Sequence, residues 1–586
     1  MAIRKKFKLL GPLVLGGIFF WSSNLKADEP KRAMSILDLQ EWKEEAMLTL
    51  SGDGDKVAYA KLINLNPNIN SSFVLEIKSG NSTRQFNLMN MNPSSQKLVL
   101  ENTFARGISI HAHNRVDRCE LWSETGETPL INLTKSEKPY QSLCNDRLYL
   151  LVPVAGRAST KEVVADFLRR NVWEGEQITT LVKNTFFKDG FLQVSEEARA
   201  ADSSTPHVAA SRPGPDPAKI NKSDTNILLK ASVLNLPLRD RQGGSLPIAE
   251  WFELQSKPGI FVSLMEPGRV ADDIQKSYTN IVGKLDDTER KALVISVAYD
   301  LSLYDVGMML GTEHPSLNWS IRANPSVRPK GWTGPDGFDK RDPVVSPGMI
   351  PPNLMTKVVS TFTSGFKRYH SAFRWGPLAL VNRGSHYGFI ENGVVQSRLN
   401  PGLATIIVDG TGSVDMKTWT EADDASLSNI KSARQNGVPL VEWDETTRAG
   451  IPGALVANWG QGNWSGSDSK TMRALRAGLC IQETSGRRYL VYSYFTSVTP
   501  PAMARVFQSY GCKYGMHLDM NALEHTYLAV YDRDAGGSAT YYLDSGMKVL
   551  DESGVGVYVP RFVGMPDNRD FFYILPKNPV VQDAIK

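Results

Sequence analysis

Several signatures that would assign a function to this chain are missing. Only four cysteines occur among 586 residues and none forms a CxxC unit, so a structural zinc site has little support. No GxSxG elbow is present, which leaves Ser/His/Asp catalysis unsupported, and no GxGxxG beside a strand indicates dinucleotide binding. Beyond the N-terminus no stretch reaches 18 apolar residues, so we expect the rest of the chain to be soluble.

An excess of charge is also lacking. Lys and Arg number 66 and Asp and Glu 62, but five of the cations lie in residues 1–27, which contain no acid. The remainder therefore has 61 basic against 62 acidic residues. A near-neutral body lacks the basic footprint of a nucleic-acid-binding protein, so we expect no nucleic acid partner.

The N-terminus has the pattern of an export signal. Arg4, Lys5, Lys6 and Lys8 form a positive region, Leu9 to Trp21 is an apolar core of 13 residues, and Ala27 ends the following polar segment. The core is shorter than the roughly 20 residues of a membrane span, which favours a signal peptide over residues 1–27 and an exported, periplasmic or extracellular protein. An uncleaved anchor is the alternative.

Export makes disulfides possible. The four cysteines fall into two pairs, separated by 25 and 32 positions, each inside one half of the chain. We predict the disulfides Cys119–Cys144 and Cys480–Cys512, with free buried thiols as the alternative.

A linker is predicted over residues 196–225, which are rich in Ala, Ser, Pro and charge and show no hydrophobic periodicity. It divides a β-rich N-terminal module, residues 28–195, from a C-terminal domain, residues 226–580. Strand-like runs in the module are Lys56–Leu62, Ser72–Ile77, Lys97–Leu100 and Leu148–Pro153, followed by an amphipathic helix from Thr160 to Asn171.

Strand and helix patterns alternate in the C-terminal domain. Strands are predicted at Ala292–Ala298, Leu378–Asn382, Leu403–Val408, Tyr489–Tyr494 and Gly515–Leu518. A helix fits Thr499 to Tyr510, because Thr499 can cap it, Pro500 suits its first turn and Gly511 can end it. Strand, helix and strand in about 30 residues read as a βαβ unit, so the fold class predicted here is α/β (mixed α+β).

Aromatic residues concentrate in this domain. Eight of the 12 tryptophans lie between Trp251 and Trp464, several on Gly-rich polar segments such as residues 459–466. A Trp face stacks on a sugar ring while amide groups bond its hydroxyls, so Asn463 and Trp464 are candidate carbohydrate-binding residues. The alternative is that most of these tryptophans are core residues.

Residues 355–535 resemble the phosphodiester glycosidase family. The resemblance begins at Arg476-Ala477-Gly478-Leu479 and Met516-His517-Leu518-Asp519, with Arg476 where the family has an Arg and Leu518-Asp519 where it has Leu-Asp. Phe362–Phe366 and His386–Ile390 resemble two upstream segments. The resemblance implies a phosphodiester-glycosidase-like domain, with Asp519 and Arg476 in its site. The family's glycine run and serine are replaced by residues 520–526, and this departure leaves the substrate and the activity open.

Polar residues cluster where the resemblance departs. His517, Asp519, Asn521, Glu524 and His525 lie within nine positions just beyond an apolar strand. Strict alternation would place His517, Asp519 and Asn521 on one face of the strand. Carboxylates with an imidazole can perform acid–base hydrolysis, bind substrate or hold a divalent cation, or they can simply hydrogen-bond within the fold. We assign Asp519, Glu524, His525 and Arg476 as candidate catalytic residues and His517 and Asn521 as candidate substrate-binding residues; a divalent cation is the one cofactor considered, and its ligands are unknown.

Lys367, Arg368 and His370 could bind a phosphate or another anion, or form a solvated turn. His314 could line the same cleft, and Glu442 is a reserve acid. The sequence thus predicts an exported hydrolase acting on glycosidic or phosphodiester bonds of envelope or extracellular carbohydrate. The alternative is a non-catalytic glycan-binding envelope protein with the same fold.

Overall fold

The computed structural model describes residues 32–50, 57–123, 129–159, 162–163, 214–239, 244–458, 463, 472–533, 538–551 and 559–577. The predicted signal peptide, most of the predicted linker and helix, and Trp464 lie outside these residues. Within them, no helix is long and apolar enough to cross a membrane.

Two antiparallel sheets form the N-terminal part of the described chain. A six-stranded sheet has the order β1-β2-β3-β4-β9-β8 and a three-stranded sheet the order β5-β6-β7. Their strands are β1 Glu44–Thr49, β2 Val57–Asn64, β3 Ser72–Ser79, β4 Ser82–Asn90, β5 Gln96–Glu101, β6 Phe104–Ala112, β7 Arg115–Glu120, β8 Tyr140–Leu143 and β9 Leu148–Leu151. The four strands predicted here are present with boundaries shifted by one or two residues, and the predicted disulfide Cys119–Cys144 is confirmed.

The C-terminal part is built around an eight-stranded sheet in the order β12-β13-β14-β25-β24-β26-β22-β23. Its strands are β12 Trp251–Leu254, β13 Lys257–Met265, β14 Val294–Asp300, β22 Pro439–Asp444, β23 Ala449–Pro452, β24 Ala474–Thr484, β25 Arg487–Val498 and β26 Cys512–Met520. The predicted disulfide Cys480–Cys512 is confirmed and ties β24 to β26.

Two five-stranded sheets and one two-stranded sheet complete the described strands. One has the order β15-β29-β16-β27-β28, the other β18-β17-β21-β19-β20, and the third pairs β10 with β11. The strands are β10 Leu228–Lys230, β11 Ser245–Pro247, β15 Tyr304–Met309, β16 Ser360–Thr363, β17 Phe389–Glu391, β18 Val394–Ser397, β19 Ala404–Asp409, β20 Val414–Thr418, β21 Ile430–Gln435, β27 Leu528–Asp532, β28 Ala539–Tyr542 and β29 Phe571–Pro576. A single apolar core includes residues of the eight-stranded and both five-stranded sheets, among them Leu479, Phe572 and Ile406.

The α-helices of the described residues are short. They are α1 Pro129–Leu133, α2 Asp272–Lys276, α3 Thr279–Val282, α4 Pro377–Val381 and α5 Pro500–Ser509. Helix α5 matches the predicted helix and packs on one face of the eight-stranded sheet, where Met503 and Phe507 join a second apolar core.

The predicted α/β (mixed α+β) fold class is wrong, because the molecule consists mainly of antiparallel β-sheet. The sequence of β25, α5 and β26 is present, but β25 and β26 are not neighbours: β24 lies between them and is antiparallel to both. Residues 378–382, predicted as a strand, lie in and directly after α4. Pro377 suits the first turn of a helix, and so short an apolar run does not distinguish helix from strand by its pattern.

Candidate functional site

A buried arginine that the sequence analysis did not select is the centre of the site. Arg569 precedes β29, and its guanidinium contacts three side chains from distant parts of the chain. Nη1 donates to Asp519 Oδ2 at 2.5 Å, while Nη2 lies 2.8 Å from both Glu162 Oε1 and His525 Nε2. We call Arg569, Asp519, His525, Glu162 and Lys367 the Arg569 cluster.

Asp519 enters the cluster because a β-bulge changes the direction of its side chain. Between the pairs Gly478–His517 and Arg476–Met520, β24 advances by two residues and β26 by three, so the alternation predicted for residues 517–521 is interrupted. His517 and Asp519 accordingly have different partners. Asp519 is 4% exposed, and its Oδ1 also accepts a hydrogen bond from the Met520 amide at 2.8 Å.

Burial raises the pKa of Asp519 to about 6, against the opposing effect of the Arg569 guanidinium. A carboxyl group in this range exchanges its proton near neutral pH. Asp519 can therefore act as a general acid or as a general base.

His525 lies in a single turn of 3₁₀ helix, Leu523–His525, just after β26. Its Nδ1 is 2.6 Å from the Met520 carbonyl oxygen, which can only accept, so Nδ1 carries a proton and donates it there. Nε2 then accepts from Arg569, which makes the ring a neutral imidazole. The Nδ1 atom is 4.0 Å from Asp519 Oδ1, close enough for the two groups to share an electrostatic environment.

Glu162 and Lys367 complete the cluster on its other side. Glu162 Oε1 lies 2.6 Å from Lys367 Nζ and 2.8 Å from Arg569 Nη2, and both the Glu162 and Lys367 side chains are buried. Burial would raise the pKa of Glu162, but the Arg569 and Lys367 cations outweigh it and hold that pKa far below its ordinary value. A single carboxylate oxygen is thus held between two cations.

Glu524 lies at the edge of the Arg569 cluster. Its Oε1 is 3.7 Å from His525 Nε2, while its backbone carbonyl oxygen accepts from Arg561 Nη1 at 2.8 Å. Lys367 Nζ also lies 3.1 Å from Glu313 Oε2, whose side chain is 54% exposed. Glu313 therefore links the buried Lys367 to the solvent-exposed surface.

Arg476 and His517 form a separate pair that is not in contact with Asp519. Arg476 Nη1 lies 3.0 Å from His517 Nε2, and Arg476 Nε donates to the Val498 carbonyl oxygen. The His517 ring stacks on Phe366 with centroids 5.0 Å apart. Burial lowers the pKa of both groups, that of Arg476 to about 9 and that of His517 well below its usual range.

The remaining predicted substrate-binding residues are dispersed. Arg368 is buried in an ion pair with Asp336, and Asn463 accepts backbone hydrogen bonds from Arg374 and Trp375. His370 is half-buried and packs edge-on against Tyr369. Lys367 is the one residue of the Lys367–Arg368–His370 group with a described contact to the Arg569 cluster.

Asn521 adopts a left-handed backbone conformation in the turn after Asp519. It has a φ of 81°, in the left-handed region, and its amide donates to the Leu475 carbonyl oxygen at 2.8 Å. Asparagine is one of the few residues with a side chain that enters this region readily. Asn521 therefore fits this turn without a glycine at its position.

A second network of buried polar side chains lies next to the Arg569 cluster. Asp570, next to Arg569, accepts from Arg434 Nε at 2.9 Å and contacts His314 and Ser364. These partners, Arg434 foremost, hold the pKa of Asp570 far below its ordinary value despite its burial. Arg434 also donates to Asn436, whose Nδ2 reaches the carbonyl oxygens of His517 and Leu518. The network thus connects the start of β29 with the end of β26.

Arg569, Asp570 and Glu162 were missed because their partners lie far away in the sequence. The available signal was the polar run Asp567-Asn568-Arg569-Asp570 directly before the apolar strand Phe571–Pro576. Within the described residues, no group of three or more His, Cys, Asp and Glu side chains is arranged to hold a metal ion.

No family model matches the chain, and no curated protein matches its sequence. Among solved structures it is similar to the zebrafish N-acetylglucosamine-1-phosphodiester alpha-N-acetylglucosaminidase catalytic domain, auto-inhibited by pro-peptide, with 10% identity and a TM-score of 0.30 over 55% of this chain and 85% of that one. A hypothetical protein from Synechocystis gives 9% identity and a TM-score of 0.23 over 86% and 97% of the two chains. These likenesses are weak and carry no conclusion about function.

Proposed function

We propose that the chain is an exported hydrolase that cleaves glycosidic or phosphodiester bonds of envelope or extracellular carbohydrate, and that the Arg569 cluster is its active site. The observation that carries the proposal is the position of the Glu162 carboxylate. It occupies an anion site between Lys367 Nζ and Arg569 Nη2, and the same guanidinium contacts Asp519 and His525. An anionic group of a substrate would bind to the same Lys367 and Arg569 cations as that carboxylate does.

The chemistry that suits this arrangement is hydrolysis of a glycosyl phosphodiester. Lys367 and Arg569 would bind a non-bridging phosphate oxygen in place of Glu162. Water adds to the carbon or phosphorus atom of the scissile bond and gives up one proton, the bond to the leaving oxygen breaks, and that oxygen takes up one proton. Asp519, with its pKa raised to about 6, is suited to pass the proton from the water to the leaving oxygen, while His525 Nε2 accepts from the Arg569 guanidinium beside it.

The two disulfides support an oxidising compartment, because such bonds persist in the periplasm and outside the cell. We therefore place the protein in the envelope or outside it, in keeping with the N-terminal pattern. The carbohydrate or glycosyl phosphate partner belongs to the same proposal.

A non-catalytic glycan-binding protein is the second candidate. The observation that favours it is the engagement of Asp519, whose Oδ2 is bonded to Arg569 and whose Oδ1 is bonded to the Met520 amide. A carboxylate held in this way also serves a purely structural purpose. Turnover distinguishes the two candidates, because both of them bind glycans.

The test is turnover by the purified full chain, assayed with glycosyl phosphodiesters and bacterial polysaccharides by release of sugar or sugar phosphate. The sharpest variant is Glu162→Gln, which keeps the side chain's shape and removes the charge that competes with an anionic substrate. We expect KM for a phosphodiester to fall several-fold while kcat changes little.

The matched control is Glu101→Gln, which removes a glutamate paired with His111 in the N-terminal sheets. Its KM should equal that of the parent. Binding of glycans without any turnover would support the second candidate. Turnover with an unchanged KM in Glu162→Gln would mean that the substrate does not use the site between Lys367 and Arg569.

A further inference from the structure

We propose a second carbohydrate site, for neutral oligosaccharides, in a surface pocket of about 330 Å³ at the opposite end of β26 from Asp519. The pocket lies where β20 passes the eight-stranded sheet. It is lined by residues of β20, β22, β24, β25 and β26, among them Thr418, Glu442, Trp443 and Tyr514. We call it the Trp443 pocket.

Part of the aromatic surface in this pocket is open to solvent. Trp443, near the end of β22, is 37% exposed, whereas most of the strand before it is buried. Lys513 Nζ lies 5.0 Å from the centroid of its ring. An exposed indole inside a concave site is informative, since it offers a flat apolar face of the kind on which a sugar ring stacks.

Hydrogen-bonding groups stand beside the indole. Thr418 Oγ1 is 2.5 Å from Glu442 Oε1 and 2.9 Å from Tyr514 Oη, so a carboxylate and two hydroxyls form a connected row. Such a row both donates and accepts hydrogen bonds, as the hydroxyl groups of a sugar require. Small-molecule sites typically have a few converging polar groups next to an aromatic face. The volume of the Trp443 pocket lies at the lower end of the range of volumes of such sites.

The charges that line the pocket balance one another. Three cations line it, Lys417, Arg488 and Lys513, and so do three carboxylates, those of Asp415, Glu442 and Glu483. Arg488 bridges Asp415 at 3.2 Å and Glu483 at 3.1 Å, and Lys513 pairs with Glu483 as well. Because the three carboxylates balance the three cations, the lining residues have no net positive charge to attract a phosphate. A neutral, polyhydroxylated ligand fits best.

The Trp443 pocket is separate from the Arg569 cluster. Tyr514 and Asp519 lie on the same strand, five residues and hence roughly 16 Å apart. The inference therefore holds whether or not the Arg569 cluster is catalytic. Through the Trp443 pocket the protein would bind a glycan without cleaving it.

The experiment is isothermal titration calorimetry of the full chain with cellohexaose, maltohexaose, mannohexaose and chitohexaose at millimolar concentration. We expect at least one of them to bind, and Trp443→Ala to weaken that binding about tenfold or more, as loss of a central aromatic contact does. The matched control is Trp375→Ala, since Trp375 is similarly exposed, at 42%, and does not line the pocket. Its affinity should equal that of the parent.

Glu442→Gln is the second variant, because it keeps the side chain's volume and removes only the charged acceptor. We expect it to weaken binding several-fold with an unchanged melting temperature. Absence of binding by all four oligosaccharides would overturn the inference. So would equal affinities in Trp443→Ala and Trp375→Ala, or binding of dextran sulfate in preference to every neutral oligosaccharide.

Discussion

A single guanidinium sets the electrostatics of the candidate active site. Arg569 contacts two carboxylates and an imidazole, and those carboxylates raise its own pKa although its burial opposes this. It therefore stays charged at any pH at which the protein is folded. The charge limits the rise in the pKa of Asp519 that burial causes, and it helps to keep Glu162 ionised.

Replacing Asp519 by Asn should abolish most of the activity while the chain stays folded. The change preserves the volume of the side chain and removes the group that transfers the proton. We expect turnover to fall by about 10²–10⁴-fold, the usual contribution of a general acid or base. His525→Ala should have a similar or smaller effect. Rates would be measured on a substrate that the parent cleaves, with folding checked by circular dichroism.

Asp305→Asn is the matched control for this substitution, because Asp305 lies at the surface and pairs only loosely with Lys577, at 3.7 Å. It should leave turnover unchanged. Full activity in a folded Asp519→Asn protein would show that the proposed site is wrong.

Stability should depend on the protonation of Asp519. Its pKa is about 6 in the folded state and near 3.8 when exposed, so the folded state binds the proton more tightly. The group therefore stabilises the fold when protonated, and this contribution is lost as pH rises from about 4 to about 6. Chemical denaturation at intervals across this range would measure the effect.

In Asp519→Asn this contribution is absent. The free energy of unfolding of the parent, relative to that of the variant, should therefore decrease over the same interval and level off above about pH 6. Parallel pH profiles for the two proteins would contradict the raised pKa.

At the residue scale the sequence predicted individual side chains better than their partners. Asp519, His525 and Lys367 were selected from local patterns, and the structure brings them together. Arg476 and His517 were selected by the same reasoning and pair with each other instead, because the bulge in β26 separates them from Asp519. Arg569 and Glu162 are 407 positions apart, so no local pattern relates them. The catalytic and binding roles assigned to all these residues stay predictions.

At the scale of elements, the segment from β25 through α5 to β26 shows which structural features a local sequence pattern predicts. Caps, periodicity and a closing glycine correctly predicted β25, α5 and β26, since those signals belong to neighbouring residues. The insertion of β24 between the two strands depends on strand pairing across the sheet. The residue pattern of α5 contains no information about that pairing. A correct set of elements thus led to a wrong fold class.

Gly515 lets α5 pack closely on β26. A Cβ atom added there would lie 2.9 Å from Phe507 Cδ2, so Gly515→Ala forces the helix or the ring to move. We expect a loss of about 1–3 kcal/mol in the free energy of unfolding, as for other overpacked cores. Urea denaturation monitored by circular dichroism measures it.

The control for Gly515→Ala is the double variant with Phe507→Leu. The leucine side chain is smaller than phenylalanine and leaves space next to residue 515. The double variant should therefore lose less free energy of unfolding than the sum of the losses in the two single variants. An unchanged stability in Gly515→Ala alone would mean that α5 does not approach the strand so closely.

At the scale of the whole molecule, the N-terminal part contacts the C-terminal part at several points. Glu162 reaches the Arg569 cluster, the Arg157 amide donates to the Pro566 carbonyl oxygen, and Gln40 bonds to the backbone of Val395. The predicted boundaries at 195 and 226 stay predictions. Of the predicted linker, residues 214–225 are described, and Ala218 among them is buried against the C-terminal core.

Limited proteolysis should cut the predicted linker within residues 196–213. The composition there is unpatterned, whereas the Asp216 carbonyl oxygen accepts from both Trp251 and Gln482 and the Lys219 amide donates to Ser509. We expect a stable fragment that begins at or before residue 214. Mass spectrometry and N-terminal sequencing would locate the cut, and a stable fragment beginning at residue 226 would contradict the role given to residues 214–220.

The position of β29 has a consequence for biosynthesis. This strand pairs with both β15 and β16 inside its sheet, and Arg569 and Asp570 directly precede it. Because β15 and β16 come long before β29 in the sequence, neither the sheet nor the Arg569 cluster is complete until residues 569–576 have been synthesised. Premature termination before residue 569 would leave a product without its central arginine.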